Sequence, residues 1–282
     1  MNFFEQVDLL KIAEKHIRRI VGLEMEQSRN LQKHYVEARK RIRARLLSIK
    51  KGSFTEAQLK IVLIQVETAL REISPLLGQE VVFGSQMAAE QSNDDLTKEL
   101  NLFEKKFNGI TQPIPLEIVI ESMNKENLLV SQFQSSLNAY NSDLRTKIQR
   151  ELTQALIMKM PYQMVIEKVN HGLMIEEWKV ARIVRTELHN IYNVSKIKGM
   201  RQLKEKTYPD LKKAMIHPMD ARTGEDSKIL AKKNPIIDID KTFSYTLHGK
   251  KYEFFAPPNR PNDRAILIPY RKSWEKDSIF WA

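Results

Sequence analysis

ARIVRTELHNIYNVSKIKG, residues 181–199, is the stretch of sequence that decides the fold of this chain. Apolar and small side chains recur in it, and just before it, at spacings of three and four, which is the period of an α-helix with one buried face. Arg185 adjoins this face, and Glu187 and His189 flank it closely enough to share one polar network. The predicted buried face consists of Trp178, Ala181, Val184, Leu188, Ile191, Tyr192 and Ser195. We call the helix that contains residues 181–199 the signature helix, and Tyr208-Pro209-Asp210 predicts its end.

Helical periodicity continues through most of the chain before this helix. Residues 1–52 fit a seven-residue frame from Phe3, which predicts one long helix packed as in a coiled coil or bundle, kinked or broken where Gly22, Glu24 and Ser28 interrupt the apolar seam. A seam this long either folds back on residues 56–107 or packs against another copy or another protein. Ser53-x-x-Glu56 predicts a capping box for the next helix, and Ser74-Pro75 predicts its end.

Further helices are predicted over about 76–92, 96–107, 129–156 and 162–171, with a linker at 108–115 and a left-handed cap at Gly172. Strand patterns begin near residue 211: Met215–His217, a hairpin turning at His248-Gly249, and an edge strand at 266–270 that contains Pro269. The sequence therefore predicts a mainly α protein, with a long N-terminal helix and a helical bundle followed by a small C-terminal α+β module. The predicted segments are 1–110, 111–210 and 211–282.

Composition limits the possible functions. The chain has 282 residues, a net charge of +11 and a pI near 9.6, which indicates an acidic partner such as nucleic acid, although a basic surface can also serve solubility alone. It contains no Cys, so disulfides and thiolate metal sites are excluded. Neither a signal peptide nor a membrane-spanning apolar run is present in this sequence, and phosphate-binding glycine loops and hydrolase motifs are absent as well.

Positive charge is concentrated at the N-terminal helix. Residues 1–52 hold 13 Lys and Arg against 6 Asp and Glu, a net of +7, whereas residues 53–110 have a net of −4. The basic cluster consists of Arg39, Lys40, Arg41, Arg43, Arg45, Lys50 and Lys51. Such a cluster can contact DNA phosphates, or it can be a solvated helix end whose charges favour the helix dipole. The sequence leaves both interpretations open.

Three short elements, taken in order, resemble those of one family. The first is the signature helix, with Ala181, Arg185, Thr186, Glu187, His189 and Asn193 in the matching positions. The second is an Asp-x-Arg-Thr element, matched by Asp220, Arg222 and Thr223 with Asp226 following. The third is a Pro-Pro…Pro-Asn-x-Arg element, matched by Pro257, Pro258, Pro261, Asn262 and Arg264. Over about residues 140–270 the chain thus resembles the phage Mu F-like minor head proteins of tailed bacteriophages.

This resemblance implies a minor capsid protein with few copies per virion, located inside the head near the portal vertex and made in the host cytoplasm. It further implies a role in head morphogenesis, genome packaging or ejection. The expected partners are the portal protein, packaged double-stranded DNA and other copies through the N-terminal helix, with no membrane, cofactor or metal. The resemblance favours docking of residues 1–21 on another copy or the portal, and folding back of residues 31–49 on 56–107. Many relatives carry Cys or His near the second and third elements, where this chain has Glu225, Ser227, Asn259, Asp263 and Ala265. We therefore expect no metal site.

We interpret the family-motif residues as a structural clamp between the signature helix and the C-terminal module. The clamp set is Arg185, Thr186, Glu187, His189, Asn193, Asp220, Arg222, Thr223, Asp226, Pro258, Asn262 and Arg264. The alternative is a nuclease- or toxin-like enzyme of phage origin that uses the Arg185/Glu187/His189 and His217/Asp220/Asp226 groups as a general base or metal site. Since no nucleophile stands beside them, we expect no catalytic residues. A free DNA-binding regulator is a third possibility, but no recognition helix is evident.

Overall fold

The computed structural model describes residues 7–48, 54–107, 128–174, 177–218, 223–233, 236–261 and 263–274. Its helices are α1 (Val7–Leu47), α2 (Glu56–Phe107), α3 (Leu128–Ile157), α4 (Tyr162–Met174), α5 (Glu177–Lys206) and α6 (Glu225–Lys233). Its strands are β1 (Lys212–Ile216), β2 (Ile236–Asp238), β3 (Phe243–Leu247), β4 (Lys250–Phe254) and β5 (Ile266–Tyr270). The prediction of a mainly α protein with a small C-terminal α+β module is confirmed.

Helix α1 is continuous from Val7 to Leu47, so the predicted break into two helices near Gly22 is wrong. The polar residues Glu24 and Ser28, which interrupt the apolar seam, are themselves buried. Their burial keeps the helix packed through this region. The seam prediction is otherwise confirmed at Leu31, Ala38 and Ile42, which are at most 2% exposed.

Helix α2 is also continuous over 52 residues, and it contains Pro75. The predicted end at Ser74-Pro75 and the separate helices over 76–92 and 96–107 are therefore wrong. A proline inside a helix removes one hydrogen bond and costs about 3 kcal/mol. Ile73, Leu77 and Val81 recur every four residues across the proline and are all at most 2% exposed, so core packing on both sides offsets this cost.

The start of α2 is capped two residues after the predicted capping box. The Thr55 hydroxyl accepts a hydrogen bond from the Gln58 backbone N–H (3.3 Å), and the Gln58 side chain accepts one from the Thr55 backbone N–H (2.9 Å). This reciprocal pair is a capping box with Thr55 as the N-cap. Glu56 is already helical and pairs with Lys60 (3.3 Å), while Ser53 lies outside the described residues.

Helices α3 and α4 confirm the predicted helical stretches over 129–156 and 162–171. Gly172 lies inside α4, which continues to Met174, so the predicted left-handed cap there is wrong. Most of the predicted linker at 108–115 lies outside the described residues. Helix α5 ends at Lys206, where the Tyr208 N–H donates to the Leu203 carbonyl (2.7 Å), as the Tyr208-Pro209 signal predicted.

Two small antiparallel sheets form the C-terminal module. In one, β1 lies between β2 and β5, and Pro269 of β5 pairs with Lys213 of β1. In the other, β3 and β4 form the predicted hairpin, whose turn residues His248 and Gly249 both have positive φ (50° and 74°). Since β5 pairs only with β1 in this part of the chain, the predicted edge position for Pro269 is confirmed.

The chain divides into two compact units. The first comprises Met1–Glu24, Gly84–Leu129 and Arg185–Ala282, and the second comprises Met25–Phe83 and Val130–Val184. Helices α1, α2, α3 and α5 each contribute residues to both units. The core of the second unit includes Tyr35, which packs edge-on against Tyr140 with ring centroids 5.4 Å apart.

Candidate functional site

The motif residues of α5 differ in their burial. Glu187, His189 and Asn193 are buried, at 7%, 1% and 0% exposure, whereas Arg185 and Thr186 are half-buried. The predicted buried face holds for Val184, Leu188, Ile191, Tyr192 and Ser195. It is wrong at Trp178, which is 55% exposed and has the Arg182 guanidinium over its ring at 5.0 Å, and Ala181 is only half-buried.

Asn193 joins α5 to the main chain at the start of β5. Its side-chain oxygen accepts a hydrogen bond from the Leu267 N–H (2.9 Å), and its Nδ2 donates to the Ala265 carbonyl (3.3 Å) and to the His189 carbonyl (3.0 Å). An amide can serve an N–H and a C=O of the same segment because it is both donor and acceptor. Two of the three family-like elements therefore meet here, since Ala265 directly follows Arg264.

His189 reinforces this junction. Its Nε2 lies 2.7 Å from the Ala265 carbonyl and its Nδ1 lies 3.1 Å from Glu24 Oε1 on α1. Burial alone would lower the pKa of His189, but the hydrogen bond and negative charge of Glu24 outweigh burial and raise the pKa above its ordinary value. Both ring nitrogens are thus engaged with protein groups, in a site closed to solvent.

A second group of buried polar residues lies along α5, and we call it the internal polar cluster. It consists of His16, Asp95, Glu99, Tyr192 and Lys196. Lys196 Nζ lies 2.6 Å from Glu99 Oε1, and His16 Nδ1 lies 2.9 Å from the same oxygen. The Tyr192 hydroxyl donates to Asp95 (2.9 Å), and this carboxylate together with burial raises the pKa of Tyr192 well above its usual range. Every member is at most 3% exposed.

The internal polar cluster reaches the surface through Arg19. Its guanidinium pairs with Asp95 inside and with Asp94 outside (2.9 Å), so it links a buried carboxylate to an exposed one. Ser92 adds a hydrogen bond to the Tyr192 carbonyl (2.7 Å). This cluster was not predicted from the sequence. The available signal was the spacing of Ser92, Asp95 and Glu99, which places three polar residues on one helix face next to Leu96 and Leu100.

These contacts cover one face of the described part of residues 1–21. Docking of this segment on another copy or the portal stays a prediction, since the side chains of residues 1–10 lie outside the described residues. Ala13, His16, Ile17 and Ile20 are buried within the chain, at 1%, 3%, 7% and 0% exposure. This face of α1 therefore packs against its own unit. The physical reason is the pairing of His16 and Arg19 with Asp95 and Glu99, which the heptad frame did not include.

The other family-like elements meet around Asp226 at the start of α6. Asp226 Oδ2 accepts hydrogen bonds from Arg260 Nε (2.7 Å) and Asn259 Nδ2 (3.1 Å). Burial would raise the pKa of Asp226, but the Arg260 hydrogen bond and charge lower it below its ordinary value. The Thr223 hydroxyl donates to the Pro218 carbonyl, and Pro258 and Arg264 are half-buried. Asp220, Arg222 and Asn262 lie outside the described residues.

His217 is close to this network. It is 5% exposed, and burial lowers its pKa, while Asp263 and Asp226 oppose that shift. No group of three or more His, Asp or Glu side chains is arranged to hold a metal ion among the residues that the structure describes. The structure thus brings His217 and Asp226 into one neighbourhood, and places His189 and Glu187 elsewhere on α5.

A buried lysine lies in the C-terminal module. Lys213 is 0% exposed, its Nζ donates to the Phe255 carbonyl (2.9 Å), and it lies 3.8 Å from the centroid of the Phe255 ring. Burial lowers the pKa of Lys213 to about 8. The aromatic ring offers a partner for the charged form, as in other cation–π contacts.

The basic cluster on α1 is partly exposed. Lys40, Arg41 and Arg43 are exposed, and Arg39 and Arg45 are half-buried. Arg45 and Arg41 lie 3.1 Å and 3.4 Å from Glu72, and the hydrogen bond from Arg45 is the main cause of the lowered pKa of Glu72. Lys40 pairs with Glu37 at 2.8 Å. Lys50 and Lys51 lie outside the described residues.

Comparison with protein-family models, with curated proteins and with solved structures gave no match. Within the described ranges, no helix combines the length and the apolar character needed to cross a membrane.

Proposed function

We propose that this chain is a minor head protein of a tailed phage, inside the capsid and associated with the portal, which binds DNA non-specifically. In this role it assists head assembly, genome packaging or ejection. The observation that carries the proposal is the junction of α5 with the Ala265–Leu267 segment. His189 and Asn193, which stand at matching positions of the first family-like element, hydrogen-bond to the main chain beside the third.

The structural-clamp interpretation is supported by the same contacts. His189 and Asn193 are at most 1% exposed, and their polar atoms are engaged with main-chain groups or Glu24. A general base must reach a substrate proton within about 3 Å, or through one water. The His189 ring is closed off from solvent on this side of α5, which favours a structural role over the enzyme alternative for the Arg185/Glu187/His189 group.

The proposed DNA contact is assigned to the exposed part of the basic cluster. Three neighbouring side chains, Lys40, Arg41 and Arg43, are exposed and carry no core-packing role. Backbone phosphates bind such cations by release of counterions, which makes the affinity fall with salt but not depend on sequence. We expect weak, sequence-independent binding of duplex DNA whose affinity falls steeply between low and physiological salt.

The test replaces these three side chains together, as K40Q/R41Q/R43Q. If all three contact phosphates, a plot of log affinity against log salt becomes less steep by about 2.7, since each phosphate contact contributes about 0.9. The matched control removes three exposed lysines of α6, as K228Q/K232Q/K233Q, with the same change in net charge. An unchanged slope in the α1 variant, or an equal change in the control, contradicts the assignment of DNA binding to α1.

Location in the particle is tested separately. Particles released from a host that carries the gene are treated with nuclease and protease, and then opened and analysed by quantitative mass spectrometry. We expect a few copies per particle, protected until the head is opened, and cross-links to the portal protein. Absence of the protein from intact particles, together with normal DNA-filled heads in a gene deletion, would refute the proposed function.

A further inference from the structure

A small pocket opens beside the N-terminal end of α6, within the first compact unit. Its walls are formed by His217, Thr223, Ser227, Arg260, Asp263 and Arg264, which come from the end of β1, from α6 and from the segment before β5. We call it the α6 pocket. Its inner space holds little more than a water-sized group and its mouth is open, so only the terminal group of a ligand can enter.

His217 is the observation that points to a ligand. The residue is 5% exposed, it lines the α6 pocket, and neither Nδ1 nor Nε2 has a hydrogen-bond partner within the described part of the chain. Buried polar atoms without partners are rare in folded proteins, and each costs about 1–3 kcal/mol. A group that enters the pocket and bonds to the imidazole would remove this cost.

The remaining walls are rich in donors. A guanidinium presents five N–H donors and no acceptor, and both Arg260 and Arg264 line the pocket. The carboxylates are already engaged. Asp263 accepts hydrogen bonds from the backbone N–H groups of Asn259 (3.2 Å) and Ala265 (3.1 Å), and Asp226 accepts one from Arg260 Nε (2.7 Å).

Gly224 shows how closely Arg260 is held to the start of α6. A Cβ at this position would overlap Arg260 Nη2 and would lie 2.8 Å from Asp226 Oδ1. The guanidinium therefore lies directly over a backbone that lacks a side chain, next to the first turn of a nine-residue helix. Helix N-termini favour negative charge through their dipole and their unpaired N–H groups.

We propose that the α6 pocket binds a phosphate monoester group or inorganic phosphate. Guanidinium groups, a hydroxyl and a helix N-terminus match the oxygens of a tetrahedral anion. A neutral imidazole has one donor and one acceptor nitrogen. A monoester near neutral pH is partly protonated and can therefore accept from one nitrogen or donate to the other, whereas sulfate can only accept.

The test is titration calorimetry of the full chain with inorganic phosphate near neutral pH. We expect saturable binding of one phosphate per chain, with sulfate at least tenfold weaker. His217→Phe abolishes this binding without lowering the melting temperature of the phosphate-free protein, since it removes two unpaired buried nitrogens. Gly224→Ala weakens binding through the displaced Arg260, without removing a charge.

Arg260→Met and Arg201→Met form a matched pair. Each arginine donates through Nε to an aspartate at 2.7 Å, with side chains 40% and 43% exposed, but Arg201 does not line the α6 pocket. We expect at least tenfold weaker phosphate binding for Arg260→Met and none of this loss for Arg201→Met. The proposal is overturned if the wild-type protein shows no saturable binding, if His217→Phe binds phosphate as well as the wild type, or if sulfate binds as tightly as phosphate.

Two sources can supply a monoester: a small phosphorylated molecule or the 5′ end of a DNA strand. Competition with 5′-phosphorylated and unphosphorylated oligonucleotides of one sequence separates them. Competition by the phosphorylated strand alone assigns the site to a DNA end, whereas a small phosphate ester that binds more tightly than either strand assigns it to a free molecule. Phosphate binding in the α6 pocket does not depend on the proposed phage function, so either proposal can fail without the other.

Discussion

Replacing Lys196 by Met tests whether the internal polar cluster holds the first compact unit together. Lys196 Nζ lies 2.6 Å from Glu99 Oε1, and both side chains are 0% exposed. Removing one partner of a buried ion pair leaves the other charge uncompensated, which costs about 3–5 kcal/mol. His16 and Arg19 lie near the remaining carboxylates and offset part of this cost, so we expect about 3 kcal/mol at the lower end of that range.

Lys168→Met is the matched control. Lys168 Nζ lies the same 2.6 Å from Glu151, but the two side chains are 36% and 38% exposed. An ion pair this exposed contributes about 0–1 kcal/mol. Both variants therefore remove a lysine from an ion pair with the same N–O distance, and the two ion pairs differ only in how deeply they are buried. The measurement is the free energy of unfolding from guanidinium titration, followed by circular dichroism.

A second step separates lost pairing from lost packing. Glu99→Gln in the Lys196→Met background removes the uncompensated charge and should restore part of the lost stability, with a coupling energy of about 0.5–3 kcal/mol in the double-mutant cycle. The reasoning is refuted if Lys196→Met costs no more than Lys168→Met. It is equally refuted if Glu99→Gln adds its full cost to that of Lys196→Met.

The remaining predictions concern three further contacts. Because Glu24 raises the pKa of His189 above its ordinary value of 6.5, their contact stabilises the fold fully below pH 6.5. This stabilisation is lost as the pH rises from 6.5 through the pKa of His189 in the folded protein. The melting temperature of His189→Gln should therefore fall less over this pH range than that of the wild-type protein. Burial lowers the pKa of Lys213 to about 8 in the folded protein, against 10.5 as the ordinary value. Between these two pH values the unfolded protein binds more protons than the folded protein, so the free energy of unfolding rises with pH. Lys213→Met should abolish this rise. Asn193→Leu leaves the buried Leu267 N–H unpaired at a cost of about 1–3 kcal/mol, while the Ala265 carbonyl keeps its contact with His189 Nε2; the exposed Asn138→Leu should change the unfolding free energy by less than about 0.5 kcal/mol.

Local sequence signals predicted the local structure well. The His248-Gly249 turn was identified from its residue types, since Gly accepts positive φ at no steric cost. Pro269 was assigned to an edge strand because it cannot donate to a neighbour on its second side. The end of α5 near Tyr208-Pro209 was predicted because the residue before a proline is disfavoured in a helix. These features depend on residues within a few positions of one another, and the sequence displays them directly.

Pro75 shows where a local rule fails. The rule that proline ends a helix describes an isolated segment, in which nothing offsets the lost hydrogen bond. In α2 the buried residues Ile73 and Leu77 flank it, and the helix continues. The heptad frame failed similarly at Glu24, since a polar seam residue indicates a break only when no partner is available. Glu24 has its partner in His189, 165 residues away.

The internal polar cluster could not be predicted because its members lie far apart in the sequence. His16 and Glu99 are 83 positions apart, and Glu99 and Lys196 are 97 apart. Helical spacing places Asp95 and Glu99 on one face of α2, but it does not indicate which cations face them. Only the packing of α1, α2 and α5 in the first unit decides which charges meet.

The motif residues of α5 explain why a resemblance can be visible in so few positions. Asn193 binds an N–H and a C=O of the segment before and within β5, and Asp or Leu at this position would lose one or both bonds. A helix of almost any composition can pack on a strand, but few side chains can hold its main chain in one register. The family-like elements therefore specify how the helix and the C-terminal module fit together. The exposed cations of α1 lie outside that requirement, so the proposed DNA contact can vary while the scaffold is kept.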